Sequence, residues 1–191
     1  MENLTDSQLV TFYRDGNTKA FDGLISRYGK MLFRFTFNIF GNPEDAHDCV
    51  QESFIKAWKH IKKFDTSKSF KTWIFTITKR TALDVLRKKK SVSFSSMNDT
   101  EDDSTFAENI PDEELLPNEV FERAEGIKVM STILKSLTLE NQTILLLHHA
   151  EDMTFEEIAE ILEKPMNTIK SQYRRSLIKL REELVHQNYQ Q

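Results

Sequence analysis

Near its carboxyl end the chain carries a helical segment that is apolar on one side and cationic on the other. From Pro165 onward, apolar residues recur at helical spacing: Ile169, Tyr173, Leu177, Leu180 and Leu184. The opposite side holds Asn167, Ser171, Arg174 and Arg175, with Lys170 and Arg181 at its edge. Arginine and lysine reach guanine acceptors or phosphates, asparagine pairs with adenine, and serine allows close approach. The pattern favours contact with the major groove of DNA, and the alternative is a solvated helix with a basic face.

A second segment, residues 70–90, places aromatic side chains beside basic ones. The aromatic residues are Phe70, Trp73 and Phe75, and the basic ones are Lys71, Lys79, Arg80 and the run 87–90. Such a mixture suits single-stranded or unstacking DNA, where each stacked base contributes roughly 1–3 kcal/mol. Aromatic residues at helical spacing equally form a protein core, and a basic run equally suits a solvated helix end. The residues alone leave both interpretations open.

A third set of polar residues shares one face of a helix that begins at Asn42-Pro43. Asp48, Gln51 and Glu52 lie at positions i, i+3 and i+4, on the side away from the apolar stripe. Periodicity alone favours an ordinary solvated acidic face here.

Catalytic and metal-binding interpretations find little support in the sequence. His47 and Cys49 lie two positions apart on a helix and point in different directions, and the adjacent His148 and His149 are divided between faces. The chain lacks a phosphate-cradling glycine loop, an HExxH motif and a Gly-x-Ser-x-Gly motif. We therefore expect no enzymatic activity, no metal and no cofactor.

The composition predicts an all-α protein. The 191 residues include only 5 Gly and 4 Pro, and apolar residues follow helical rather than alternating spacing. The single cysteine excludes an internal disulfide and suits a reducing compartment. The start is polar and acidic, and no apolar run reaches the roughly 18 residues of a membrane span. We expect a soluble, cytoplasmic protein without direct membrane insertion.

The net charge of −4 conceals an uneven distribution. Residues 97–126 contain 11 acidic residues and one basic residue, whereas residues 68–90 contain 8 basic and one acidic. Residues 164–181 carry 6 basic residues and no acidic one. Two basic blocks therefore flank an acidic segment, a pattern that is compatible with nucleic-acid binding.

This distribution predicts two small helical domains joined by a flexible acidic linker. We place the first domain at 1–90, the linker at 91–119, where apolar residues are too few for a core, and the second domain at 120–187. In the second domain, Thr154 and Glu157 form a capping box before a short helix, and Pro165 opens the next helix. That order predicts a helix-turn-helix unit, winged-helix-like but without a wing.

Local signals also predict helix boundaries and buried faces. Asn17 is placed to cap the second helix, Gly41 to end it, and the fourth helix is expected from Phe70 to about Lys89. An apolar helix is expected over 139–150. The predicted buried stripe of the Asn42 helix is Ala46, Val50, Phe54, Ala57 and Ile61, and that of the short capped helix is Ile158, Ala159 and Leu162.

At these residues the chain resembles the extracytoplasmic-function group of bacterial RNA polymerase sigma factors. The segments AFDGLISRYGKMLFRF, GNPEDAHDCVQESFIKAWKHIKKF and SFKTWIFTITKRTALDVLRKKK resemble sigma region two. The segment TLENQTILLLHHAEDMTFEEIAEILEKPMNTIKSQYRRSLIKLREEL resembles sigma region four. The resemblance implies a protein that binds core RNA polymerase and directs promoter recognition, DNA opening and transcription initiation.

The resemblance also implies roles for individual residues. Asp48, Gln51 and Glu52 would dock on the coiled-coil clamp helices of the largest polymerase subunit. The loop from Phe64 to Ser69 would hold a base flipped from the minus-ten element, at a cost of a few kcal/mol. The expected minus-ten contacts are Phe64, Asp65, Ser67, Lys68, Phe70, Trp73, Lys79, Arg80 and Arg87. The expected minus-thirty-five contacts are Thr154, Asn167, Thr168, Lys170, Ser171, Arg174 and Arg175.

The expected partners are core polymerase, promoter DNA and an anti-sigma protein, with no small-molecule substrate. The linker would pass through the polymerase toward the RNA exit path. The chain departs from the family pattern where glycines are frequent, since it has Glu163 or Lys164 in the turn and Asn167 near the start of the next helix. It also has Gln172 where the family often has arginine, and Lys79-Arg80 where the pair Arg-Asn is frequent. The alternatives are a stand-alone helix-turn-helix regulator and, from another class, a metal-dependent hydrolase.

Overall fold

A computed structural model describes residues 4–93 and 134–188, and every regular element in these two ranges is helical. The elements of the first range are α1 (Asp6–Arg14), α2 (Lys19–Phe40), α3 (Pro43–His60), a 3-10 turn (Ile61–Lys63) and α4 (Phe70–Ser93). Those of the second are α5 (Leu139–Leu145), a π-helical turn (Leu146–Ala150), α6 (Phe155–Leu162) and α7 (Met166–Asn188). The predicted all-α fold is confirmed. The linker segment 94–119 and residues 120–133 lie outside the described ranges.

The first unit, residues 4–93, is a bundle in which α2 packs against α1, α3 and α4. The predicted stripe of α3 is confirmed, because all five of its residues are buried. Phe35 of α2 meets Phe75 of α4 edge to face with ring centroids 5.4 Å apart, and Phe21 meets Phe54 of α3 in the same way at 6.3 Å. These aromatic contacts fix the helices that carry the candidate surfaces.

The end of α2 and the start of α3 lie where local chemistry predicts them, but the start of α2 does not. Gly41 ends α2 at a φ of 72°, a left-handed conformation that glycine adopts without a Cβ clash. The Asn42 side chain then accepts a hydrogen bond from the backbone N–H of Asp45 at 2.8 Å and caps α3. The predicted capping role of Asn17 is wrong. Thr18 is the residue before α2, no side chain caps it, and Asn17 contributes only its carbonyl, to the N–H of Ala20.

In the second unit, residues 134–188, the helix-turn-helix begins with the predicted capping box. Thr154 Oγ1 accepts from the N–H of Glu157 at 3.2 Å, and the Glu157 carboxylate accepts from the N–H of Thr154 at 2.9 Å. The predicted buried side of α6 needs correction, because Ile158 and Ile161 are buried while Ala159 and Leu162 are only half-buried. Ile161 is buried because α6 packs against α4 of the first unit, a contact that helical periodicity does not reveal.

The two units lie against each other along α2 and α4. Buried apolar side chains from both, such as Phe75 and Ile158, belong to one hydrophobic cluster. Two predicted boundaries also shift. The fourth helix continues to Ser93, and the helix expected over 139–150 changes to π-helical geometry at Leu146. Among the described helices, none is long and apolar enough to cross a membrane.

Candidate nucleic-acid and partner-binding surfaces

The acidic face of α3 is exposed along its length. Asp48, Gln51 and Glu52 all point to solvent, because the opposite side of the helix is buried in the bundle. Glu52 lies 4.0 Å from Lys56 Nζ, which also approaches Asp84 of α4 at 3.9 Å. Such exposed pairs contribute little to stability. The carboxylates therefore remain available to a partner.

Two large apolar side chains, missed in the sequence, extend this face. Ile55 is 45 % exposed and Trp58 is 53 % exposed, and helical spacing places both on the side of Gln51. An exposed tryptophan next to an exposed isoleucine on a polar helix face is typical of a protein-binding surface, where aromatic anchors carry much of the binding energy. The sequence did contain a signal for these two residues, because they lie four and seven positions after Gln51 and so share its side of the helix.

The loop from Phe64 to Ser69 has a defined conformation. Asp65 Oδ1 accepts from the Ser67 N–H at 3.0 Å and from the Ser67 hydroxyl at 2.8 Å, and these hydrogen bonds hold the pKa of Asp65 below its ordinary value. Ser69 Oγ accepts from the N–H of Thr72 at 3.2 Å and caps α4. Lys68 is exposed at the loop surface.

Two residues of α1 hydrogen-bond to the backbone of this loop and of the turn before it, and the sequence analysis did not predict them. Arg14 donates to the carbonyl of Ile61 at 3.0 Å and also to that of Phe64, and the hydroxyl of Ser7 donates to the carbonyl of Thr66 at 3.0 Å. No local pattern signals these contacts, because the partners lie about fifty positions apart.

The aromatic residues near the loop divide into supporting and accessible rings. Phe64 and Phe70 are buried, at 6 % and 2 % exposure, and their rings meet edge to face at 5.6 Å. Trp73 is half-buried, with its ring 4.7 Å from that of Phe64. Of these three rings, that of Trp73 is the most accessible to solvent, and it packs against the buried rings of Phe64 and Phe70. Direct contact of these residues with DNA stays a prediction.

An open cleft of about 490 Å³ lies beside the loop. Lys63, Asp65, Lys68 and Trp73 line it from the first unit, and Glu160 of α6 lines it from the second. Its volume lies within the range of small-ligand sites. The cleft brings cations, one aromatic ring and polar loop atoms together, as a flipped base requires.

The cations of α4 differ in their partners. Lys79 Nζ lies 3.6 Å from Glu163 Oε2, and Arg80 donates from Nε and Nη2 to Glu163 Oε1 at 3.2 and 3.1 Å. The Arg80 guanidinium, followed by Lys79, lowers the pKa of Glu163. Arg87 is exposed and lies 3.9 Å from Asp84.

The predicted recognition face of α7 is exposed as expected. Thr168 is half-buried, and the exposed members are Asn167, Lys170, Ser171, Arg174 and Arg175. Arg175 Nε donates to the carbonyl of Ser171, one turn earlier on the same helix, at 3.2 Å. The apolar side is buried only at its beginning, since Leu177 is 41 % exposed and Leu184 is 37 % exposed.

A network of polar contacts fixes α7 relative to α5. Glu140 of α5 accepts from Lys164 Nζ at 2.6 Å and also from Gln172 Nε2 at 2.5 Å. The hydrogen bond from Lys164 lowers the pKa of Glu140. The turn of the helix-turn-helix and its second helix are thereby tied to the preceding helix.

The histidines do not form a metal site with acidic or cysteine side chains in the described ranges. His148 stacks on Phe155 with centroids 4.5 Å apart and contacts the carbonyl of Met153 at 2.8 Å through Nδ1. His149 Nε2 lies 3.0 Å from the hydroxyl of Tyr173. The His148 ring thus packs within the second unit, whereas His149 is exposed. Cys49 is buried, and burial raises the pKa of its thiol to about 11.

Two protein-family models match the chain. Sigma-70 region 2 matches residues 24–92, and sigma-70 region 4 matches residues 128–180. The ECF RNA polymerase sigma factor SigW of Bacillus subtilis is 28% identical over 173 residues, which cover 90% of this chain and 92% of the relative. The ECF RNA polymerase sigma-E factor of Haemophilus influenzae is 30% identical over 173 residues, with 89% and 90% covered.

Two solved structures share the fold. CnrH in complex with the cytosolic domain of CnrY matches with a TM-score of 0.65 and 21% identity, covering 95% of this chain and 97% of that one. The sigma factor RpoE in complex with the anti-sigma factor NepR, from Bartonella quintana, matches with a TM-score of 0.63 and 24% identity, covering 87% and 97%.

Proposed function

The chain belongs to the ECF RNA polymerase sigma factors and directs transcription initiation, and from that premise we propose how its surfaces divide this work. The first unit, which we assign to residues 1–90, binds core polymerase and the minus-ten element. The second, assigned to 120–187, binds the minus-thirty-five element. The linker between them, predicted to be 91–119, begins after Ser93, since residues 91–93 belong to α4.

The face of α3 is the docking surface for core polymerase. Asp48, Gln51 and Glu52 supply charge and hydrogen bonds, and Ile55 and Trp58 supply the apolar anchor. The single observation that carries this assignment is the exposure of Ile55 and Trp58 together on the side of α3 that holds Gln51. Neighbouring exposed apolar side chains with polar residues around them mark a binding surface more often than single ones do.

DNA opening depends on the loop and the cleft beside it. A base that leaves the duplex enters between Lys68 and Trp73, where the ring stacks on it and the hydrogen-bonded Asp65–Ser67 turn offers polar atoms. Stacking and hydrogen bonds offset the few kcal/mol that unstacking costs. Lys79, Arg80 and Arg87 then contact phosphates along α4.

Upstream anchoring belongs to α7. Its exposed residues from Asn167 to Arg175 face the major groove, while the capping box of Thr154 fixes the preceding helix and brings the start of α6 near the phosphates. The phosphodiester chemistry belongs to the polymerase, and this chain contributes recognition without catalysis. Since it works on that polymerase, we assign it to the cytoplasm.

A protein inhibitor is a further expected partner. The RpoE structure holds an anti-sigma factor. An anti-sigma protein for this chain would cover the basic surfaces that contact DNA.

Run-off transcription tests the proposed function. Purified core polymerase is incubated with genomic fragments, with and without the full chain. We expect discrete transcripts only in the presence of the chain. Sequence-selective DNA binding without any core-dependent transcript would instead identify a stand-alone regulator.

A further inference from the structure

The loop 64–69 and the turn before it receive hydrogen bonds from two side chains of α1. Arg14 donates to the carbonyl of Ile61 at 3.0 Å and also to that of Phe64. Seven positions earlier, the Ser7 hydroxyl donates to the carbonyl of Thr66 at 3.0 Å. A guanidinium that bonds two carbonyls fixes them relative to each other, because its donors have a rigid planar geometry. The side chains of α1 therefore determine the path of the backbone from the turn into the middle of the loop.

The same stretch of backbone forms a wall of the open cleft. Asp65 lines the cleft and lies between Phe64 and Thr66, the two loop residues whose carbonyls α1 holds. Hydrogen bonds from Ser67 hold the pKa of Asp65 below its ordinary value, and the charge of Arg14 acts in the same direction. A shift of either carbonyl would move the Asp65 carboxylate, because the three residues are consecutive in the chain.

A second connection joins α1 to the aromatic rings of the cleft. The Asp6 carboxylate accepts a hydrogen bond from the Tyr28 hydroxyl and pairs with Arg27. The Tyr28 ring lies 5.5 Å from that of Phe70, and the Phe70 ring lies 5.4 Å from that of Trp73, which lines the cleft. Burial, together with the hydrogen bond to Asp6, raises the pKa of Tyr28, so its hydroxyl remains a donor at neutral pH. Through Tyr28, α1 also supports the aromatic part of the cleft.

α1 is itself a fixed support. A capping box closes its start, in which Thr5 Oγ1 accepts from the N–H of Gln8 at 3.3 Å and Gln8 Oε1 accepts from the N–H of Thr5 at 2.8 Å. Leu9 and Val10 are buried in the core of the bundle. The segment that the region 2 model matches, 24–92, contains the loop but not α1. The helix that supports the loop thus lies outside the matched segment.

We propose that α1 sets the base preference of the loop, with Arg14 and Ser7 as positioning residues. This role rests on the proposed function, in which the loop and the cleft hold a base that has left the duplex. A pocket distinguishes bases by hydrogen bonds to the base edge and by stacking, and such contacts discriminate only when the polar atoms are held within about 0.5 Å. The hydrogen bonds from α1 to the carbonyls on either side of Asp65 supply that constraint. Neither positioning residue needs to touch DNA.

Hydrogen exchange of the full chain, followed by mass spectrometry, tests the positioning without polymerase or DNA. The backbone N–H of Lys68, which donates to the carbonyl of Asp65 at 3.0 Å, reports on the order of the loop. We expect Arg14→Gln to raise the exchange rate of peptides that cover 61–69 about three- to ten-fold, because hydrogen bonds to the loop are lost. Ser7→Ala should have a smaller effect, confined to the same peptides.

Thr11→Ala is the matched control. It also removes a hydroxyl from α1, but the Thr11 hydroxyl donates to the carbonyl of Ser7 at 2.9 Å, so its hydrogen bond stays within the helix. Exchange of the loop peptides should be unchanged in this variant, and circular dichroism should show all the variants folded. Equal exchange rates in the wild type, Arg14→Gln and Ser7→Ala would overturn the positioning, and so would an equal increase in Thr11→Ala.

Promoter selection by the holoenzyme tests the base preference. A promoter mapped by run-off transcription is varied so that each minus-ten position carries each of the four bases in turn. We expect Arg14→Gln to weaken the preference at one position about three- to ten-fold and to leave the preferences at the other positions and at the minus-thirty-five element unchanged. Arg14→Lys keeps the charge and one donor group, so it should restore part of the preference.

A merely structural role of α1 would give a different result. Transcription by Arg14→Gln that falls equally on all promoter variants, with the base preferences of the wild type, would overturn the proposal. Absence of any core-dependent transcript with the wild type would reject the sigma role and the base preference with it. The exchange measurement on the free chain would still show, in that case, whether α1 positions the loop.

Discussion

Arg34 and Glu151, which lie 117 positions apart, form an ion pair that joins the two helical units. Arg34 Nε and Nη2 lie 2.9 and 2.8 Å from the same carboxylate oxygen, Oε1. The Glu151 side chain has no exposed surface, and its second oxygen has no hydrogen-bond partner among the described residues. The half-exposed Arg34 guanidinium is thus the direct ion-pair partner of this carboxylate, and Lys71 is a further nearby cation.

The first prediction concerns the removal of that guanidinium. Arg34→Met leaves the buried Glu151 carboxylate without its ion-pair and hydrogen-bond partner, so we expect a loss of about 1–3 kcal/mol in the free energy of unfolding. Urea denaturation followed by circular dichroism measures it. Arg34→Lys is the control, since it keeps the charge and should lose less. An unchanged denaturation midpoint for Arg34→Met would show that the pair contributes nothing.

The second prediction is a pH dependence at Glu151. Burial raises the pKa of this carboxyl above its ordinary value of 4.5, although Arg34 opposes the change. The folded state therefore binds a proton more readily than the unfolded state, and this contribution to stability is lost as pH rises. We expect Glu151→Gln to be at least as stable as the wild type at pH 7. Its advantage should shrink as pH falls to 5, and an advantage that grows instead would contradict the burial argument.

The third prediction has the opposite sign and concerns Glu140. Hydrogen bonds from Lys164 and Gln172 hold the pKa of Glu140 below 4.5, so its contribution is present above that pH and is lost as pH falls through the lowered value. Glu140→Gln should cost about 0.5–1 kcal/mol at pH 7, a modest amount because the pair is partly exposed. Thermal melts of the two proteins should converge toward pH 3. A constant difference across this range would exclude the charge as the cause.

The fourth prediction concerns DNA contact by α7. Removing one phosphate contact should reduce the magnitude of the log–log salt slope by about 0.9. We expect Arg174→Gln to do so when the holoenzyme binds promoter DNA. Lys30→Gln, which removes an exposed charge from α2, should leave the slope unchanged. Equal slopes for the two variants would remove Arg174 from the DNA surface.

Local chemistry explains which parts of the fold the sequence could predict. The Thr154–Glu157 capping box, the Asn42 cap and the left-handed Gly41 each depend on residues within a few positions of one another. Such signals are readable without knowledge of the tertiary structure. The polar faces of α3 and α7 were predictable for the same reason, because a helix fixes which side chains share a side.

The packing of the two units was not predictable in this way. Ile161 is buried where α6 packs against α4, and Arg34 pairs with Glu151, 117 positions away. The spacing of residues within one helix gives no sign of either contact. The aromatic residues near the loop were ambiguous in the sequence, and burial separates Phe64 and Phe70 from the more accessible Trp73. Glu163 was noted only as a departure from glycine, whereas its ion pairs become visible in three dimensions.

Binding of the full chain to bacterial core polymerase, measured by pull-down, tests the central claim most directly. The variant carries Asp48→Ala, Gln51→Ala and Glu52→Ala together. Its control carries Asp22→Ala and Glu182→Ala, which remove the same charge from exposed positions on other helices. Circular dichroism establishes that all proteins are folded. We predict that the wild type and control bind core polymerase and that the triple variant does not. Failure of the wild type to bind core polymerase from several bacteria, or binding by the folded triple variant equal to that of the control, would contradict the account.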